Sequence, residues 1–183
     1  QLFQFGLPLE VNQIEKVGKM WFIKYQLENS KENIVVGTTR PETIFGDTGI
    51  AIHPKNTKLN HLIGKKALIP ILNKRIPIFA DEYADPEKGS GAVKITPAHD
   101  FNDFEIGKKH DLEFVNILDK TASLNKNTPK EYQGLNRFVA RKKLIIELKK
   151  NNKILKIVNN KMFLPIGDRS DEIIEPLLTF QWF

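Results

Sequence analysis

The apolar segments of this chain are short and are cut at irregular intervals by prolines and polar turns, which leaves few folds open to it. Met20–Glu28 and Asn33–Thr39 alternate or run apolar as strands do, and the polar turn Asn29-Ser30-Lys31-Glu32 joins them. Ile50–His53 reads as a strand closed by Pro54, and Ala92–Thr96 as one ended by Pro97. Ala67–Ile71 and Arg75–Phe79 flank Asn73-Lys74 as a hairpin would, with Pro70 and Pro77 at strand ends or edges. Glu113–Leu118 predicts a further strand, and Lys153–Leu164 a strand pair or one bent strand. Only two helices stand out. Asp100 can cap Phe101–Lys109, with Asp103 and Glu105 early and Lys108, Lys109 and His110 late, as the helix dipole prefers. Asn136 can cap Arg137–Lys150, where Phe138, Arg141, Ile145 and Leu148 form a stripe that is apolar in all but Arg141. There is no internal repeat. The expected class is therefore α+β, a barrel-like β core with a few peripheral helices, not alternating βαβ units.

A length of 183 residues fits one large domain or two small ones, and 40% hydrophobic with 27% charged residues excludes wholesale disorder or fibre. No apolar run nears the ~18 residues of a membrane-crossing helix, so no membrane association is expected. Residues 1–8 lack the basic and apolar regions of a signal peptide. The absence of cysteine removes disulfides, zinc–cysteine sites and a cysteine nucleophile, and it fits a reducing, cytoplasmic setting. Twenty-eight Lys and Arg against 22 Asp and Glu leave a charge of +6. Such an excess suits a polyanion such as RNA, or the ordinary solvated surface of a Lys- and Asn-rich chain. The run Arg141-Lys142-Lys143, with Lys149 and Lys150, has the same two readings.

Two segments carry chemistry. Gly37-Thr38-Thr39-Arg40-Pro41-Glu42-Thr43 follows an apolar strand, and Pro41 fits the first turn of a helix. Backbone N–H groups, two hydroxyls and a guanidinium at such a point suit an anion or an ester carbonyl, or simply a capped helix with a surface arginine. The second segment runs from Gly89 to Asp103. Gly89 and Gly91 allow close backbone approach, and Lys94 and Thr96 share one face of a strand. A lysine on a core face is costly, so that face is solvent or a polar pocket. Asp100 and Asp103 project on one side of a helix start, and a carboxylate at Asp103 facing the cavity of Lys94 could hold an ammonium group. His53, His61, His99 and His110 are scattered, without metal-binding spacing, although a set of His99, Asp100 and Asp103 is conceivable. No phosphate-binding or dinucleotide loop and no nucleophile elbow occurs, so ATP chemistry is not expected in this segment.

Three stretches together resemble the valyl-tRNA synthetases: TTRPETIFGDTGIAIHP at 38–54, IPIFADEYADPEKGSGAVKITPAHDFNDFEIGKKHDLEFVNILD at 76–119, and RSDEIIEPLLTFQWF at 169–183. They correspond to the editing insertion, connective polypeptide 1, of those class I enzymes. The HIGH and KMSKS signatures of the aminoacylation site are missing. The resemblance implies a lead-in at residues 1–18, an editing domain at 19–166, and a segment at 167–183 leading back toward the catalytic body. It implies no cofactor for editing, with ATP needed only by the ligase body. The implied partners are the acceptor end of tRNA(Val) carrying threonine and the rest of the synthetase chain, in a monomer. Isoleucyl enzymes are similar in fold but carry a threonine-rich segment in place of 38–43. Leucyl enzymes carry apolar residues where this chain has Lys94 and Thr96.

The activity so implied is hydrolysis of the threonyl ester of mischarged tRNA(Val). In the valyl enzymes an apolar synthetic site rejects the hydroxyl isostere of valine only about a hundredfold, so a second site must act. By motif position, Asp103 corresponds to the anchor of the α-ammonium. Lys94, Thr96 and Asp100 correspond to the set that meets the side-chain hydroxyl and positions water. Thr38, Thr39 and Arg40 correspond to the wall around the ester and terminal ribose, and Lys88, Val93 and His99 also lie on the substrate side. No side-chain nucleophile is implied; oriented water attacks an already activated ester, with His99 as a candidate general base. Where the family commonly has an aromatic residue before the glycine, this chain has Lys88. If that aromatic stacks on the terminal adenine, ~1–3 kcal/mol is lost here. A non-catalytic module that binds the tRNA acceptor end through a weakened pocket is the alternative. Gly49 stands where alanine is usual, a packing change.

Overall fold

The structure, a computed structural model, describes the backbone at residues 3–5, 11–167 and 178–180 and side chains at 15–161. The strands are β1 (Phe3–Phe5), β2 (Val11–Leu27), β3 (Asn33–Thr38), β4 (Gly49–Ile52), β5 (Lys66–Leu68), β6 (Arg75–Ala80), β7 (Ala92–Ile95), β8 (Ile154–Gly167) and β9 (Leu178–Phe180). The two α-helices are α1 (Phe101–Lys109) and α2 (Arg137–Lys150). A 3-10 helix, Pro41–Gly46, follows β3. The expected barrel-like core is present: the main sheet runs β3-β2-β5-β6-β4-β7, with β8 also on β2. β7 comes back beside β3, so the sheet nearly closes. Pairing is antiparallel except between β4 and β6.

Period-two alternation explains which side faces in. Trp21, Ile23, Tyr25 and Leu27 of β2 and Ile34, Val36 and Thr38 of β3 are buried. Their registers place Trp21 opposite Thr38, Ile23 opposite Val36 and Tyr25 opposite Ile34, so one inward face is continuous across both strands. Ile44 and Phe45 enter from the 3-10 helix, and Phe45 meets Tyr132 edge-on at 5.0 Å between ring centres. α2 covers this region through Ala140, Leu144 and Leu148. Arg141 then reaches the fully buried Glu42 with two parallel bonds, Nε to Oε2 at 2.7 Å and Nη2 to Oε1 at 2.6 Å. That bidentate pair fixes α2 against the 3-10 helix.

Several sequence expectations are corrected. The buried stripe of α2 is Arg137, Ala140, Leu144 and Leu148, while Phe138 is largely exposed. Residues 113–118 are extended but form no ladder; a single bridge joins Leu118 to Leu124. Lys153–Leu164 resolves into one strand, paired with β2 from Val11↔Gly167 to Ile23↔Ile154, with an irregularity at Phe22/Ile23. β2 runs unbroken from Val11 to Leu27. The β5–β6 hairpin turns over residues 69–74, with Asn73 at φ 53° taking the left-handed conformation. The apolar tail at 173–183 lies outside the described residues apart from β9, which pairs with β1.

Gly49 has a structural reason. A Cβ there would sit 2.6 Å from Cε1 of Phe79, and that ring is held against the imidazole of His110 at 4.1 Å. Gly49→Ala is expected to destabilise the domain by roughly 1–3 kcal/mol in denaturant unfolding, as overpacking does.

Candidate active site

Four pieces of chain meet at the open end of β3 and β7: the 3-10 helix, the loop from Gly46 to Gly49, the end of β7, and the N-terminus of α1. Lys94 projects inward from β7, where a charge is tolerable only if fully satisfied. Its ammonium donates to Asp47 Oδ1 at 2.8 Å, to Thr43 Oγ1 at 3.0 Å, and to Thr96 Oγ1. An ammonium has three hydrogens, and all three are committed. Thr96 Oγ1 donates in turn to Asp47 Oδ1 at 2.7 Å, and Tyr25, from β2 across the barrel, donates to Asp47 Oδ2 at 2.6 Å. Lys94, Thr96, Thr43, Asp47 and Tyr25 are all buried. Burial holds the Asp47 carboxyl above its ordinary value, and the Lys94 charge and the three donors offset only part of that rise. Burial, then the Asp47 charge, raises the Tyr25 phenol, so it stays a donor.

Thr96 also links this polar floor to Asp103. Its backbone N–H donates to Asp103 Oδ2 at 2.8 Å. Asp103 lies at the start of α1, nearly buried, where Asp100 Oδ1 accepts from the N–H groups of Asn102 and Asp103 at 2.9 and 3.1 Å. Asp100 is therefore an N-cap, and it is exposed. Burial first and the Asp100 charge second push Asp103 up to about 7, against the pull of Lys94 and the Thr96 N–H. The Tyr83 phenol lies near this helix start; burial, then the charges of Asp103 and Asp100, raise it. The far end of α1 is tied down by Asp81, which accepts from Lys109 Nζ at 2.8 Å and bonds His110 Nε2 at 2.7 Å. Although burial pushes Asp81 up, those two bonds outweigh it and hold the carboxyl at about 2.

Arg40 stands at the N-cap of the 3-10 helix, with Pro41 in the first turn. Its backbone N–H donates to Thr38 Oγ1 at 3.0 Å, and its guanidinium donates to the carbonyl of His99 at 2.9 Å. This ties segment 38–43 to the loop before α1, although neither is near the other in sequence. Thr39 is half-buried beside it, as is Val93 on β7. His99 is buried and its Nε2 accepts the N–H of Ile117 at 3.0 Å, so the ring proton sits on Nδ1. Burial, with the charges of Arg40 and Lys94, lowers His99 to about 3. Such a ring is neutral, and its basic nitrogen is already engaged. Gly91, at φ 74°, brings the loop so close to Asn56 that a Cβ would fall 2.5 Å from its Nδ2. Lys88 is on that loop but points outward, 86% exposed at the side chain and 3.4 Å from Asp85. Lys94, Thr96, Asp103 and Asp100 are thus brought together, and Thr38, Arg40 and His99 adjoin them, whereas Lys88 does not join the buried cluster. Sequence reasoning missed Asp47, Thr43, Tyr25 and Tyr83; Thr43 and Asp47 lie within segment 38–54, which was singled out without roles for them. Among the described residues no three His, Asp or Glu side chains converge as a metal ion would require.

A nearly closed mixed barrel with the Asp103 carboxylate held beside a buried Lys94–Thr96–Asp47 floor defines a class. Residues 55–139 match the family described as leucyl-tRNA synthetase, editing domain. A solved structure, GlLeuRS-CP1, superposes with a TM-score of 0.60 at 12% identity, over 76% of this chain and 99% of that one. The Agrobacterium radiobacter K84 agnB2 LeuRS, solved in a ternary complex with tRNA and LeuAMS, gives 0.59 at 22% identity, over 81% of this chain and 20% of that one. The chain belongs to the editing domains of class I aminoacyl-tRNA synthetases. Within them its sequence relatives are valine–tRNA ligases: 53% identity with that of Pelagibacter ubique (strain HTCC1062) and 47% with that of Francisella tularensis (strain SCHU S4 / Schu 4), each over 96% of this chain. The chain spans about a fifth of the length of these relatives, 20% and 19% respectively.

Proposed function

We propose that this domain hydrolyses the ester of threonine misattached to tRNA(Val). The observation that carries this reading is Thr96, whose backbone holds the Asp103 carboxylate and whose hydroxyl belongs to the Lys94–Asp47 floor. A substrate with an ammonium and a side-chain hydroxyl on adjacent carbons meets both at once. Asp103 takes the α-ammonium. Because every hydrogen of the Lys94 ammonium is engaged, the threonyl hydroxyl is received as a donor to the remaining lone pair of Thr96 Oγ1. Valine would place a methyl against that lone pair and forgo the bond, at about 0.5–1.5 kcal/mol, while Thr96 Oγ1 keeps its bonds to Lys94 and Asp47.

The reaction needs no enzyme nucleophile. A water oxygen attacks the ester carbonyl carbon, the bond from that carbon to the ribose oxygen breaks, and the departing alkoxide takes up the proton that water gives. Thr38, Thr39 and Arg40 border the ester and terminal ribose, and the neighbouring ribose hydroxyl relays the proton. His99 does not serve as the base, because its accepting nitrogen is held by Ile117. Positioning and polarisation of the carbonyl carry the rate.

Time courses with Thr-tRNA(Val) and Val-tRNA(Val), each with and without EDTA, test this. The expected result is release of threonine well above buffer, valine largely spared, and no effect of the chelator. Salt-dependent tRNA binding without deacylation would instead assign a binding module, and inhibition by EDTA a metal site at His99, Asp100 and Asp103.

A further inference from the structure

The polar floor is built mainly from β7 and the segment after β3, yet one of its bonds comes from the opposite wall. Tyr25, on β2, is completely buried and sends its hydroxyl to Asp47 Oδ2 at 2.6 Å. The other carboxylate oxygen, Oδ1, accepts from both Lys94 and Thr96. A carboxylate gripped on both oxygens cannot rotate. Its orientation decides where Thr96 Oγ1 points, because the Thr96 hydroxyl donates to Oδ1. We infer that Tyr25 is a specificity-determining positioning residue, setting the angle of Asp47 and through it the hydrogen-bonding face offered to the substrate's side-chain hydroxyl.

This inference rests on the editing reading above. It also follows from what a phenylalanine would leave behind. The aromatic ring is enclosed by core neighbours and keeps its place, while Oδ2 loses its donor in a site closed to water. Asp47 then turns to share Lys94 differently, and Thr96 loses its fixed hydrogen direction. The substrate never touches Tyr25; the effect passes through two side chains.

The test is a double-mutant cycle in the intact protein, with thermal unfolding of each variant recorded so that rates are compared where all are folded. Tyr25→Phe should lower kcat/KM for Thr-tRNA(Val) by roughly tenfold and leave the slow hydrolysis of Val-tRNA(Val) unchanged, narrowing discrimination by the same factor. Asp47→Asn should do at least as much, and Tyr25→Phe added to it should cost no further discrimination. A lowered unfolding temperature with unchanged discrimination would assign Tyr25 a purely structural role and overturn the inference. So would full additivity of the two substitutions. If Tyr25→Phe does not fold, a fluorotyrosine placed at position 25 keeps the hydroxyl and strengthens its donation, and a change in the threonine-to-valine ratio then supports the role while constancy overturns it. Absence of threonine release by the unsubstituted protein overturns the editing reading and this inference together; release by it with Tyr25→Phe unaltered overturns this inference alone.

Discussion

Asp103→Asn is expected to lower threonyl-tRNA deacylation by about 100-fold and, above pH 7, to make the protein more stable. The rate falls because the neutral amide cannot pair with the α-ammonium, a loss of ~2.7 kcal/mol at that fold-change and within the range for a buried charge pair. Stability moves the other way because the carboxyl rises from an ordinary 3.8 to about 7 on folding. A group whose folded pKa is raised binds its proton more tightly in the native state. Its favourable contribution is complete below pH ~4, is lost as pH climbs through about 7, and leaves a cost above that. The amide never ionises, and its oxygen still accepts from Thr96 N–H, so it avoids the cost. The gain at pH 8 should reach at most ~4 kcal/mol, or roughly 10 °C in unfolding temperature. In the unsubstituted protein kcat/KM should rise with pH through about 7, and that limb should vanish in the variant. A variant that is both slower and less stable at pH 8 would mean that Asp103 is a structural carboxylate.

Lys94→Met should be the most destabilising change in the site. It leaves the fully buried Asp47 carboxylate with Tyr25 and Thr96 as donors and no compensating charge. Removing one member of such a pair costs about 3–5 kcal/mol, here ~10 °C in unfolding temperature. Without Lys94 the Asp47 pKa rises further, so the deficit should shrink as pH falls. Lys94→Met combined with Asp47→Asn removes the orphaned charge and should recover most of the stability, because paired buried charges add little net stability over neutral partners. Preference for threonine over valine should not return with it. Recovery of both would show that the ion pair serves folding alone.

The strands of the barrel and both helix caps were legible because they depend on neighbours in sequence: alternation within β2 and β3, proline at strand ends, and Asp100 three residues ahead of Asp103. Lys94 and Thr96 could be placed on one face, and the cost of a buried lysine pointed to a polar pocket. What lay beyond reach was the partner. Asp47 is 47 residues from Lys94 and 22 from Tyr25, and only barrel closure makes them neighbours. The stripe of α2 was misread for a related reason. Arg141 looked like an interruption of an apolar face, whereas its partner Glu42 is 99 residues away and itself completely buried. Residues 113–118 have strand-like composition but make only the single Leu118–Leu124 bridge, so composition alone overstated them.

The long ladder between β2 and β8 has a mechanical consequence. At its outer end Val11 stands opposite Gly167, so the two polypeptide arms are held about 5 Å apart, one interstrand step. A larger protein could accommodate this unit at almost a single point on its own surface without spreading the elements on either side. A two-stranded tether of this kind bends and twists readily but resists sliding, since slippage by one residue would invert every side chain along both arms. The ladder therefore keeps the two arms in register, and with them the inward face of β2 that carries Tyr25 to Asp47.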